Sequence, residues 1–159
     1  MNINLDFAQW IQIIQIVTSI AIVATFFVYY KQLRVMRHSA QSQNLLNVIN
    51  ILADPERRED RKSVIDYKKI PYKGWDIKMK DRAERVCAYY DIVGILIENE
   101  VIPPNIIEDH WGDSIIKCYE AAGELIKEYR QQRGDDFWNN LDRLYERTKK
   151  RRNSNSTKR

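Results

Sequence analysis

Glu108, Asp109, His110 and Asp113 form the one compact cluster of possible metal ligands in the sequence. An imidazole among carboxylates is a donor set that divalent transition metals accept. A single histidine beside acids at a helix end is also the ordinary make-up of a cap and a solvated face, and the cluster is read that way, with no metal expected. Glu98 and Glu100 have the side chains for acid–base work, but nothing near them supplies a nucleophile or an oxyanion donor. Cys87 and Cys118 lack CxxC spacing and sit in apolar helical stripes, which predicts buried free thiols rather than a disulfide or a metal site. No GxGxxG, GxxxxGK or HExxH occurs. These residues predict no catalytic site and no cofactor.

The remaining chemistry is electrostatic. The net charge of +4 is unevenly placed: from Arg147 to Arg159 there are seven basic residues and no acidic one. Lys149, Lys150, Arg151 and Arg152 can engage phosphate groups without sequence specificity. On a chain tethered to a membrane, anionic lipid is the default phosphate surface, ahead of nucleic acid.

What would tether it is Phe7 to Tyr30, a stretch without a charged residue. An α-helix needs about 20 residues to cross a hydrocarbon layer of about 30 Å. A secretory signal would begin with basic residues and end at small ones. Here residues 1–6 hold no Lys or Arg, and the stretch closes on Phe26, Phe27, Val28, Tyr29 and Tyr30. Trp10, Tyr29 and Tyr30 suit the two interfaces. Lys31, Arg34 and Arg37 follow on the C-terminal side only, which predicts an outward N-terminus and a cytoplasmic remainder at the inner membrane. Gln12, Gln15 and Ser19 share one side of the helix with Thr18 and Thr25. Amides in lipid seek partners, so this side predicts self-association.

The other elements follow from local chemistry. Residues 31–44 continue the span as a basic juxtamembrane helix, and residues 45–152 form a cytosolic helical domain. Asp54-Pro55-Glu56 and Asp76 start helices, the first of them largely charged. Met79, Ala83, Val86, Tyr90, Val93 and Ile97 mark a central helix, buried on several sides in its second half through Tyr89, Ile92, Ile95 and Leu96. Trp75 plugs the core. Gly94 predicts the close approach of a neighbouring helix, with Ala121, Ala122 and Gly123 available to face it. Gly112 is expected to end or kink a helix, Gly134 closes another, and Asp135 or Asp136 opens the last. Residues 153–159 read as a disordered basic tail. No strand pattern appears. The expected fold is all-α, a single N-terminal transmembrane helix continuing into a cytosolic helical bundle.

From about Val86 to Lys150 the chain resembles the uncharacterised bacterial family DUF4760. The likeness lies in Tyr90-Asp91-Ile92-Val93-Gly94, in Arg130 through Gly134, and in Trp138 with Leu141 and Leu144. The chain has Asn99-Glu100 where the family pattern often has a glycine, and Tyr119 near a frequent tryptophan. The resemblance implies one N-terminal transmembrane helix with a cytosolic all-helical region, and it supplies no catalytic residues. The expected function is a membrane-anchored interaction or sensing module, oligomeric, whose partners are anionic inner-leaflet lipids and either further copies or a cytosolic protein. The alternative is a membrane-perturbing or channel-forming effector assembled through the polar side of the span.

Overall fold

A computed structural model describes residues 7–156, except the side chains of residues 7–9, 13, 155 and 156. The chain divides into two compact units, Met1–Ala40 and Gln41–Arg159. All regular structure among the described residues is helical, with no strand. The first helix, α1 (Phe7–Ala53), contributes to both units.

In the first unit α1 stands alone. Its apolar side chains meet no other element; Val23 is 69% and Phe26 71% exposed. The hydroxyls of Thr18, Ser19 and Thr25 donate to the carbonyls of Ile14, Gln15 and Ala21, at 2.7–2.8 Å. This back-bonding pairs each hydroxyl within its own helix.

The second unit begins as α1 turns apolar on one side, and Val48 and Leu52 enter the core. Asp54 then caps α2 (Pro55–Tyr67) by accepting from the Arg57 N–H at 3.1 Å, with Pro55 in the first turn where no N–H is required. A 3-10 turn at Tyr72–Gly74 leads to α3 (Ile77–Glu98), capped by Asp76, which accepts from the Met79 N–H at 2.7 Å. The chain continues through α4 (Pro104–Ala121), α5 (Gly123–Arg133) and α6 (Asn139–Ser156). α3 packs against α2, α4, α5 and α6, while α4 also meets α2 and α6. Tyr90, Ile115, Leu125, Leu141 and Val64 fill the space between them. Trp75 is buried between Tyr67 and Tyr72, edge-on to both, and its indole N–H donates to the Ile70 carbonyl at 3.2 Å.

Several boundaries differ from the sequence reading. Gly112 lies inside α4, where a Cβ would come within 2.9 Å of Thr148 on α6; the glycine is a contact point, and the helix break falls at Ala122 instead. Gly94 is indeed a point of close approach, but its neighbour is α6. A Cβ there would sit 2.5 Å from the Asn140 carbonyl oxygen. On α3, Ile92 and Ile95 remain exposed because no helix of this unit covers that face. α6 starts at Asn139 rather than at Asp135 or Asp136, and it runs to Ser156, past the boundary set at Asn153.

Candidate functional site

The residues that carry the family likeness meet at the start of α6. Asp91 of α3 accepts from the Leu141 N–H at 2.9 Å, so a first-turn donor of α6 is satisfied by another helix. Three residues further along α3, the absence of a side chain at Gly94 admits Asn140. Arg130 of α5 donates to the Phe137 carbonyl at 3.0 Å and to Asp142 at 2.6 Å, and Asp142 also accepts from the Tyr119 hydroxyl at 2.8 Å. Trp138, buried and at φ 59°, packs beside Phe137 and Tyr129. A non-glycine residue in this left-handed region is retained when its surroundings over-determine it. The junction is built for holding α6.

The acidic cluster has a different role from ligation. Arg147 Nε lies 2.6 Å from Glu108, whose side chain is only 3% exposed, and Arg151 reaches the same carboxylate at 3.5 Å. Arg151 also holds Asp109 in a two-pronged contact at 2.8 and 2.9 Å. Arg152 pairs with Asp113, which Lys117 meets at 2.6 Å. Lys117 and Arg152 hold the Asp113 carboxyl below its usual range, and Asp109 raises the Arg151 guanidinium. Gly112 and Thr148 complete a shallow cleft of about 270 Å³ between α4 and α6. His110 turns away from it and lies against Trp111. Among the described residues, no group of three or more His, Cys, Asp or Glu side chains is arranged to hold a metal.

Two of the four basic residues read as a lipid contact are therefore paired within the domain. Of the others, Lys149 donates to the Tyr145 hydroxyl at 3.0 Å and Lys150 is exposed. The pairing has a sequence signature: acids at 108, 109 and 113 face arginines at 147, 151 and 152, sets spaced by one helical turn on each helix. A second polar network escaped the sequence reading. Buried Arg61 donates to the Leu52 carbonyl at 2.7 Å, satisfying a C-terminal carbonyl of α1, while Asp60 accepts from Arg85 at 3.1 and 3.3 Å. A mostly charged helix read as an outer face gave no sign that two of its charges turn inward.

Cys87 and Cys118 are free and buried. Burial raises both thiols, that of Cys118 to about 12, so neither is a poised nucleophile. In the first unit, Trp10, Tyr29, Tyr30, Lys31, Arg34 and Arg37 are all exposed, with the Lys31 ammonium 5.4 Å from the centre of the Phe27 ring. Gln12 and Gln15 are exposed and form none of the side-chain hydrogen bonds found among the described residues.

These features define an all-α protein with, among the described residues, one helix long and apolar enough, by length and composition, to cross a membrane. The chain belongs to the family described as a domain of unknown function, DUF4760, whose model matches residues 13–148. No curated protein and no solved structure matches it.

Proposed function

We propose that this is a single-pass inner-membrane protein, N-terminus outward, whose Gln41–Arg159 unit is a cytoplasmic interaction or sensing module working in associated copies, not an enzyme. The observation that carries this reading is the set of large apolar side chains on α1, from Trp10 to Tyr30, that stand exposed among the described residues. Exposing so much contiguous apolar surface to water opposes solubility, whereas lipid accepts it. The collar of Lys31, Arg34 and Arg37 on one side supports the orientation.

The test is alkaline carbonate extraction of cell membranes followed by protease treatment of spheroplasts and of inverted vesicles. The chain is expected to stay in the pellet, and its C-terminal unit to be cut only in inverted vesicles. Release into the supernatant refutes the reading. For lipid contact, Lys149 and Lys150 are the proposed tail residues, because Arg151 and Arg152 would first have to leave their carboxylates. Nucleic acid has no part in this reading. The exposed amides of Gln12 and Gln15 also favour a second reading, in which assembled spans make the bilayer leak. Dye release from vesicles holding the purified chain, lost in Gln12→Leu with Gln15→Leu, supports that version.

A further inference from the structure

From Gln12 to Ala40, residues taken alternately three and four apart fall on one stripe of α1. Gln12, Gln15 and Ser19 begin the series, Phe26 and Tyr29 bring it to the boundary of the uncharged stretch, and Leu33, Met36 and Ala40 continue it beyond. This is the 3.5-residue repeat of a left-handed helix pair, with these residues at the a and d positions. Inside an apolar stretch the repeat is informative only through its polar members. Beyond Lys31 it is informative in full: of Leu33, Val35, Met36 and Ala40, three fall on the stripe, and Lys31, Arg34, Arg37 and His38 all fall off it. Leu33 and Met36 are 64% and 67% exposed, so none of the described residues occupies this seam.

We propose that a second copy of the chain occupies it, as a parallel, in-register helix pair running from Gln12 to Ala40. This inference rests on the membrane-spanning reading above and deepens it. Three features select an identical partner. An amide is both donor and acceptor, so Gln12 and Gln15 each find a complement in the same residue of a parallel copy. Charge is compatible along the whole contact. In register, the positions flanking the seam set Thr18 against Val23, Thr25 against Tyr30 and Gln32 against Arg37, with no like charges opposed. Length suffices too: nine seam residues per copy along about 40 Å of helix approach the roughly 800 Å² per partner of a stable interface. With the hydroxyls of Thr18, Ser19 and Thr25 already bonded to their own backbone, the two glutamines are the polar groups left to gain from the pairing.

The test is disulfide scanning of the full chain in native membranes under mild oxidation. Leu33→Cys, Met36→Cys and Ala40→Cys are compared with Arg34→Cys, Val35→Cys and His38→Cys. The native thiols are buried, so the parent chain supplies the blank. Covalent dimer is expected at the first three positions and severalfold less at the others. Adding Gln12→Leu and Gln15→Leu to Met36→Cys removes two amide pairs and is expected to weaken pairing by about 8-fold or more. Dimer yield peaking off the stripe, or equal at all six positions, overturns the seam. An absence of dimer everywhere overturns the pair, while carbonate resistance of the same membranes shows that the anchoring reading has survived it. Full yield in the double glutamine variant removes the amides from the interface.

Discussion

Replacing Gly94 with alanine tests whether the approach of α3 and α6 is what holds the Gln41–Arg159 unit together. The new Cβ would stand 2.5 Å from the Asn140 carbonyl oxygen and 2.8 Å from its carbon. These are backbone atoms, so relief requires α6 to retreat about 0.9 Å, from 2.5 Å to an ordinary 3.4 Å. Overpacking of this kind costs about 1–3 kcal/mol. The retreat also strains the 2.9 Å bond between Asp91 and the Leu141 N–H, a cap worth about 1 kcal/mol. Alanine returns about 1 kcal/mol of helix propensity. The net expectation is a loss of about 1–3 kcal/mol, or a fall in melting temperature of about 4–12 °C for a unit of this size. Gly123→Ala is the internal control, since nothing lies within 4 Å of a Cβ there and φ is not positive. It should raise the midpoint by up to about 1 kcal/mol of stability. Gly112→Ala should fall between the two, because it meets a threonine methyl rather than backbone. Thermal unfolding of the full chain in detergent, followed by the fluorescence of buried Trp75 and Trp138, measures all three. A Gly94→Ala midpoint at or above the parent's would refute the close-approach argument.

Asp91→Ala should cost about 1 kcal/mol by leaving an α6 donor uncapped, with a midpoint drop in the same assay that is not additive with Gly94→Ala. Arg147→Ala strips the closest partner from buried Glu108 and should destabilise more than Arg152→Ala, whose Asp113 is half exposed and keeps Lys117; equal effects would contradict the burial argument. The carboxyls of Asp113 and Glu128 are held below their ordinary values, the first by Lys117 and Arg152, the second by Tyr72 and Lys80. Their stabilising contribution is whole above the unfolded values of 3.8 and 4.5 and is lost as pH falls through the depressed ones. The midpoint should therefore fall on acidification from about pH 5 to pH 3, and fall less in Asp113→Asn with Glu128→Gln. Maleimide should leave Cys87 and Cys118 unmodified at neutral pH until denaturant exposes them; rapid labelling of the native chain would show that one thiol is accessible.

Much of the fold is local in origin and was legible for that reason. Asp54 with Pro55, Asp76, and Gly134 each act within one turn of their own position, and they start or stop helices where their chemistry says they should. The uncharged run at the N-terminus announces itself by length. What could not be read depends on a partner distant in sequence. Asp135 and Asp136 promised a start for α6, but the first-turn Leu141 N–H is satisfied by Asp91, fifty residues earlier. Gly94 declared a close approach without saying to what, and Gly112 looked like a break because its compensation, Thr148, lies on another helix. The basic run at 149–152 read as a lipid contact because no acid follows Glu146 in the sequence; the counter-charges of Arg151 and Arg152 are on α4. Arg61 and Asp60 were hidden by their charged neighbours in α2, where periodicity cannot show which charges turn inward.

The capping of α6 by a carboxylate on α3 bears on the order in which the molecule is made. The last helix takes a first-turn cap from α3, and it gains that bond only once α3 lies beside it. Synthesis delivers α3 before α6, so the capping carboxylate is already in the chain when the last helix emerges. A chain truncated before Asn139 would lack the helix that covers Gly94 and present an open face, ready for clearance by proteolysis.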